Sequence, residues 1–176
     1  MTPKKIALSL SIALAASHSS LAFAQAVEAS SVTEALVSGK TKLDANLRYE
    51  SVGQNNALKD AKAFTLRTRL TYTTGNIAGF SSLVEFEDSR NVLGINDYNN
   101  TLGKNTDYSV IADPETTELD QFFLKYQHKS IAVKAGRQVI TMDNHRFVGH
   151  VGWRQDRQTF DGVTFAYQPI EQLSLQ

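Results

Sequence analysis

Three pairs of charged residues two positions apart lie in segments that alternate apolar and polar residues. The pairs are Arg48 with Glu50, Arg67 with Arg69, and Glu85 with Glu87. Side chains two residues apart on a β-strand point to the same side of the sheet. An arginine guanidinium binds a carboxylate through two parallel hydrogen bonds, so a row of arginines can pass an anionic solute from site to site. The rival interpretation is that Arg67 and Arg69 pair with Glu85 and Glu87 across neighbouring strands.

The segments that carry these pairs alternate apolar and polar residues with a period of two, which predicts β-strands. Six strands are expected, over residues 43–50, 63–74, 78–88, 118–128, 131–138 and 159–168, with a seventh beginning in 170–176. When the apolar faces point outward, the interleaved charged side chains point inward. The predicted inward set, interpreted as lining a pore and binding its solute, is Arg48, Arg67, Arg69, Glu85, Glu87, Lys125 and Lys134.

Short turns and long loops alternate between these strands, as they do in transmembrane β-barrels of the bacterial outer membrane. Short turns are predicted near residues 75–77, near residues 128–130 and around Pro169, and long loops over 52–62, 89–117 and 141–158. A soluble β-sandwich also alternates, but tyrosines near the strand ends favour a lipid interface. The expected fold is therefore all-β, an antiparallel up-and-down transmembrane barrel. Six to seven strands cannot close such a barrel, so we expect the N-terminal part of a longer protein.

The first residues carry the features of a secretory signal peptide. Lys4 and Lys5 precede an apolar stretch over residues 6–16, and a small-residue cleavage pattern ends at Ala24. The predicted organisation is a signal peptide over residues 1–24, a lead-in segment over 25–42 that is unstructured or loosely helical, and the barrel portion over 43–176. This organisation predicts a place in the bacterial outer membrane, in contact with its lipid.

Composition narrows the possible functions further. The chain of 176 residues has 18 basic and 18 acidic side chains, which argues against a nucleic-acid partner. It has no cysteine, which excludes a disulfide scaffold and cysteine-based metal or haem motifs. It has no apolar run long enough for a membrane-spanning helix.

Four stretches near the predicted fifth and sixth strands form a recognisable set: Ala135-Gly136-Arg137-Gln138, residues 143–149, Gly152-Trp153-Arg154-Gln155, and residues 158–162. Together they resemble the alginate export family of outer-membrane porins. The similarity extends back to about Leu43. The resemblance implies a monomeric barrel with a positively lined pore that passes anionic polyuronates such as alginate. It also marks a family motif, which we place at Arg137, Asn144, Arg146, Trp153 and Arg154.

Two other functional classes remain open at this point. One is an outer-membrane barrel enzyme, for which Asp143, His145 and His150 are the candidate acid–base groups. The other is a small barrel that tethers the envelope. We predict a porin rather than an enzyme, with no cofactor. We predict no metal site, because the spacing of His145 and His150 with Asp143 matches no recognised ligand pattern. Trp153 is either a platform for a sugar ring or an interface anchor.

Overall fold

A computed structural model describes residues 8–14, 28–142, 144–170 and 173–175. Eight strands of this part of the chain form one antiparallel sheet in which each strand pairs with the next. They are β1 (Leu8–Leu14), β2 (Lys40–Val52), β3 (Ala61–Thr73), β4 (Phe80–Asp97), β5 (Thr116–His128), β6 (Ile131–Gln138), β7 (Phe160–Ile170) and β8 (Leu173–Leu175). One helix, α1 (Val32–Val37), precedes β2. The all-β, up-and-down fold predicted from the sequence is confirmed.

The six predicted strands correspond to β2–β7, and β8 lies within the predicted seventh. The largest difference is β4, which continues to Asp97 rather than ending near residue 88. Its second half resumes pairing with β3 after an irregularity, because Asn91 opposes Thr65 while Asn96 opposes Ala63. The backbone adopts positive φ at Leu93 and Gly94, within the extra residues. A bulge of this kind breaks the period of two, so the sequence pattern stops before the strand does.

β1 lies within the predicted signal peptide and was not expected as a strand. It pairs with β2 over seven residues, from Leu8 opposite Ser51 to Leu14 opposite Ala45. Its sequence, LSLSIAL, alternates leucine and serine before it becomes wholly apolar, so the same residues suit both an apolar leader and a strand at the edge of a sheet. The proposed cleavage position at Ala24 lies outside the described residues, and the signal peptide stays a prediction.

The two faces of the sheet differ sharply in chemistry. One face exposes large apolar side chains, among them Leu43, Leu70, Phe86, Phe122, Leu124, Val163 and Phe165. The opposite face buries charged and polar side chains, among them Arg48, Glu50, Thr65, Arg67, Arg69, Glu85 and Glu87. We call these the apolar face and the polar face. An exposed apolar surface on this scale marks an interaction with lipid or with another apolar partner.

The lead-in segment forms the short helix α1 at the short-turn end of the sheet. Ser31 caps it by accepting from the Glu34 amide at 3.1 Å, and the Ser30 amide donates to the Glu34 carboxylate at 2.8 Å. This arrangement is a variant of the capping box in which Ser30, the residue before the cap, donates to Glu34, and it fixes where the helix begins. The helix is held to the β3–β4 turn because the Gly75 amide donates to the Ala35 carbonyl at 2.7 Å. Within the described residues, no helix has the length and apolarity needed to span a bilayer.

The loop between β4 and β5 folds against the start of β3 at the other end of the sheet. Ala61, Ala63, Tyr98 and Ile111 form a buried cluster there. The Tyr98 hydroxyl donates to the Asp113 carbonyl at 2.7 Å. These contacts fix the position of Asp113, whose side chain is 1% exposed and reaches the polar face.

Candidate functional site

The loop between β6 and β7, residues 139–159, crosses the polar face of the sheet; we call it the inner loop. We call strands β2–β5, over which the loop lies, the wall. Three successive carbonyls of the inner loop accept hydrogen bonds from three arginines of the wall. Trp153 accepts from Arg48 at 2.8 Å, Arg154 from Arg67 at 3.5 Å, and Gln155 from Arg69 at 3.5 Å. We call Arg48, Arg67 and Arg69 the arginine row. The three arginines point to the same side of the sheet, as predicted, and the inner loop lies over them.

Each arginine of the row also meets a carboxylate of the wall. Arg48 pairs with Glu50 on its own strand, and Arg69 pairs with Glu87 on the next strand. Arg67 pairs with Asp44 at 2.5 Å. The rival interpretation of cross-strand pairing thus describes Arg69, whereas Arg67 takes a partner that sequence reasoning did not propose.

Glu85 is not paired with the arginine row because the register places Thr71 opposite it. Its partners are the Thr71 hydroxyl and Arg157 of the inner loop. Arg157 also reaches Asp120 of β5, with Nη2 2.7 Å and Nε 2.9 Å from Oδ2. The second arginine of the inner loop, Arg154, lies 3.0 Å from Glu50.

Sequence reasoning missed Asp120 because a bulge changes its side of the sheet. Glu85 opposes Gln121 and Phe86 opposes Leu119, which leaves Asp120 as the extra residue in β5. An uninterrupted period of two would place Asp120 on the apolar face with Phe122. The structure instead buries its side chain completely, 3.6 Å from Arg69. Nothing in the alternation pattern marks such a bulge, and the loop residues Asp113 and Arg157 carry no strand periodicity at all.

Gln155 fastens the inner loop to the wall. Its Nε2 donates to the carbonyl of Thr65 at 3.1 Å, to the Thr65 hydroxyl at 2.8 Å and to the Asn46 carbonyl at 3.2 Å. Its own amide donates to the Asp113 carboxylate at 3.0 Å. Gln155 is fully buried, so these bonds replace water at both of its nitrogens, whereas its Oε1 has no partner among the described residues. The loop is therefore seated on both the β2–β3 wall and the β4–β5 loop.

The charges of this cluster nearly cancel. Five arginines face six carboxylates within ion-pair distance: Arg48, Arg67, Arg69, Arg154 and Arg157 against Asp44, Glu50, Glu85, Glu87, Asp113 and Asp120. The pairing does not use every group, because Nε of Arg48 and of Arg67 has no hydrogen-bond partner among the described residues. The arginines therefore keep capacity for a further acceptor, and their pore-lining role stays a prediction.

The two predicted lysines lie apart from this cluster. Lys125 of β5 stands directly opposite Lys134 of β6, near the short turn between these strands. Lys134 Nζ lies 5.4 Å from the centre of the Phe123 ring, which shares the polar face. Within the described residues, neither lysine has a carboxylate within ion-pair distance. The structure thus separates Lys125 and Lys134 from the arginines with which they were grouped.

The family-motif residues occupy several different positions. Arg137 lies in β6, within the strand predicted over 131–138, and its Nε is 2.9 Å from Asp161 on β7. Arg154 stacks on Trp153 with its guanidinium carbon 4.1 Å from the ring centre, while Trp153 is 61% exposed. Arg146 lies over Phe147 at 5.7 Å, and Asn144 has a positive φ of 51°. The motif thus contributes to the cluster mainly through Trp153 and Arg154.

The rings of His145 and His150 are in contact, with centres 4.8 Å apart and planes tilted by 60°. A cavity of 540 Å³ beside them is lined by His145, Gly149, His150, Val151, Gly152 and Trp153. Burial lowers the pKa of His150, and the nearby His145 and Arg157 add to the effect by charge repulsion. Asp143, the third group of the enzyme hypothesis, lies outside the described residues.

A second cavity, of 430 Å³, lies where the inner loop faces the β4–β5 loop. Its lining consists of Ala112, Val151, Arg154, Asp156, Arg157 and Gln158. Burial raises the pKa of Asp156, partly offset by the positive charge of Arg69. Two arginines of the cluster therefore reach the edge of an open, charged groove.

Comparison with known protein families decides the assignment. The profile of the alginate export family matches residues 34–172, well over half of the chain. This chain belongs to the alginate export family. The match contains β2–β7, the inner loop and the arginine row, so the resemblance noted in the sequence is confirmed. The family is one of transport proteins. Comparisons of the chain with curated proteins and with solved structures find no match.

Proposed function

We propose that the protein is a channel of the bacterial outer membrane that passes an anionic polysaccharide, with alginate-like polyuronates as its solutes. Membership of the alginate export family supports the class of solute. The apolar face supports contact with lipid, since outer-membrane strands alternate apolar residues outside with polar residues inside. The observation that carries the proposal is the arginine row, three guanidinium groups side by side on the polar face.

The arginine row suits repeated, weak binding of carboxylates. Each guanidinium already pairs with a carboxylate of the protein, so a uronate of the solute would exchange for that partner rather than bind an isolated charge. Exchange keeps binding weak, and conduction requires sites that release a solute as readily as they take it up. The inner-loop carbonyls keep the arginines extended while their partners change.

The route to these arginines starts at the groove between the inner loop and the β4–β5 loop. Arg154 and Arg157 line that groove and also contact the buried carboxylates Glu50 and Glu85. The arginine row itself is at most 7% exposed, so the inner loop forms the narrowest part of the proposed path. In this proposal the solute binds first to Arg154 and Arg157 and then moves to the arginine row.

The test is the ion selectivity of the protein in planar bilayers. Arg67→Gln with Arg69→Gln leaves Asp44 and Glu87 without their partners, so the ratio of anion to cation permeability should fall and uptake of oligouronates should slow. Lys62→Gln with Lys129→Gln removes the same charge from exposed positions and should change neither. Lys at both arginine positions keeps the charge and should preserve most of the selectivity.

Unchanged reversal potentials in the Arg67→Gln, Arg69→Gln protein would show that these arginines only brace the wall. The comparison is made on protein that keeps its β-sheet circular dichroism and its heat-dependent mobility in detergent gels. An equal loss of selectivity in the Lys62→Gln, Lys129→Gln control would also contradict the proposal, because the effect would then depend only on the net charge of the protein.

A further inference from the structure

Three carboxylates from three different elements converge beside the arginine row. Glu87 comes from β4, Glu118 from β5 and Asp156 from the inner loop, and one ligand oxygen from each lies within 4.8 Å of the others. These residues are 31 and 38 positions apart in the chain, so no sequence pattern groups them. We call them the carboxylate triad.

The fold forces the three groups together. Glu87 and Glu118 are direct partners in the β4–β5 register, where like charges repel each other. Asp156 stands between two anchored residues, because Gln155 bonds to Thr65 and Arg157 bonds to Asp120. The loop cannot move Asp156 away without breaking one of these contacts. The triad is therefore held in place before any ligand arrives.

The three carboxylates of the triad are not fully balanced by basic side chains. Arg69 pairs with Oε2 of Glu87, but Oε1 of Glu87 is buried and has no hydrogen-bond partner among the described residues. The Glu87 side chain is 0% exposed, so water does not replace the missing partner. Neither Glu118 nor Asp156 has a lysine or arginine of the described residues within ion-pair distance. An unpartnered buried carboxylate oxygen is costly unless a cation or proton satisfies it.

We propose that Glu87, Glu118 and Asp156 bind a calcium ion, which ties the inner loop to strands β4 and β5. Calcium takes six to eight oxygen ligands at about 2.3–2.6 Å and tolerates irregular arrangements of them. The triad oxygens all lie within 4.8 Å of one another, a separation that one calcium ion can bridge. Magnesium demands near-ideal octahedral geometry and keeps several of its waters, so three carboxylates fixed on three separate elements suit calcium better.

The ion would act as a fastener of the inner loop over the arginine row. It neutralises the opposed Glu87 and Glu118 while Arg69 keeps its own bond to Glu87. Removing it restores the repulsion, which loosens the loop at Asp156 first.

Calorimetric titration of chelator-treated protein in detergent with calcium chloride tests this site. We expect one ion per chain with a dissociation constant of about 10⁻⁴–10⁻³ M, the range of extracellular calcium modules, and weaker binding of magnesium. Glu118→Gln and Asp156→Asn should each weaken calcium binding at least tenfold. Glu115→Gln is the matched control, because this carboxylate pairs with Lys104 outside the triad and should leave binding unchanged.

The second measurement is trypsin cleavage of the inner loop. Calcium should slow cleavage after Arg154 in the original protein and in Glu115→Gln, and should have no effect in Asp156→Asn. The proposal is wrong if calcium gives no saturable heat, or if all variants bind it equally; a proton shared by the carboxylates would then be the explanation. Ion selectivity of the arginine variants is independent of this result, so the two proposals can fail separately.

Discussion

Gln155 of the inner loop donates from Nε2 to the hydroxyl of Thr65 at 2.8 Å, and both residues are buried. The same nitrogen reaches the carbonyls of Thr65 and Asn46, so one side chain joins the loop to β2 and β3. On either side of Gln155, Arg154 and Arg157 meet carboxylates of the wall. The hydrogen bonds of Gln155 and the ion pairs of Arg154 and Arg157 thus hold the inner loop in place.

Gln155→Ala should release the inner loop without unfolding the sheet. Removing the amide leaves buried acceptors on Thr65 and Asn46 unsatisfied, a loss of about 1–3 kcal/mol in the free energy of loop docking. Trypsin cleavage after Arg154 should become roughly tenfold faster or more. Gln158→Ala is the control, since Gln158 is exposed and bonds to His150 only through its backbone. Equal cleavage rates in the two variants would contradict the assigned role of Gln155.

Gly136→Ala should destabilise the sheet where β5 meets β6. Gly136 has a φ of +128°, and a Cβ atom there would lie 2.9 Å from Cα of Phe123 on the opposite strand. Strain and crowding together should lower the free energy of unfolding by about 1–3 kcal/mol. Gly162, directly opposite Gly136 in β7, has open space around its Cβ position. Gly162→Ala should therefore be close to neutral in urea unfolding followed by circular dichroism in detergent.

The sequence predicts the strands and faces because their periodicity survives in long, regular registers. β2 and β3 pair without interruption from Lys40 opposite Thr73 to Val52 opposite Ala61, so Arg48, Arg67 and Arg69 share one face as expected. Partner identity is a different matter. Whether Arg67 meets Asp44 or Glu85 depends on the relative register of separate strands, which alternation within one strand does not encode.

The inner loop accounts for most of what sequence reasoning could not reach. Its carbonyls cap the arginine row and its Asp156 joins Glu87 and Glu118, yet these contacts depend on how far the loop folds inward. Family-motif residues Trp153 and Arg154 were identified by resemblance, but neither could be assigned a contact. Asp120 shows the same limit within a strand, because one extra residue in β5 reverses its side.

The pH dependence of the inner loop should follow His150. Burial lowers its pKa below the ordinary value of 6.5, so the folded loop binds the proton less tightly than the unfolded chain does. The local stability is therefore present above pH 6.5 and is lost as the pH falls through the lowered pKa. Trp153, the single tryptophan of the chain, lines the same cavity and should report this change through its fluorescence. His150→Gln should flatten the fluorescence titration, whereas His128→Gln, at the exposed end of β5, should leave it intact.

Arg157 and Asp120 should be strongly coupled, and a double-mutant cycle measures that coupling. Asp120 has a side chain that is 0% exposed, and two nitrogens of Arg157 lie within 2.9 Å of its Oδ2. Asp120→Ala alone should cost about 3–5 kcal/mol, since it leaves buried arginine charge without its partner. Arg157→Ala in the same chain should recover part of that loss, with a coupling of about 0.5–3 kcal/mol.

Lys59 and Asp107 provide the comparison pair, because they meet at 2.5 Å with side chains that are 63% and 57% exposed. Water and salt screen an exposed pair, so its coupling should be smaller and should fall further at high ionic strength. The Arg157–Asp120 coupling should persist in the same salt series, measured by urea unfolding in detergent. If salt weakened both pairs equally, Arg157 would be exchanging with solvent, and the inner loop would not be anchored at Asp120.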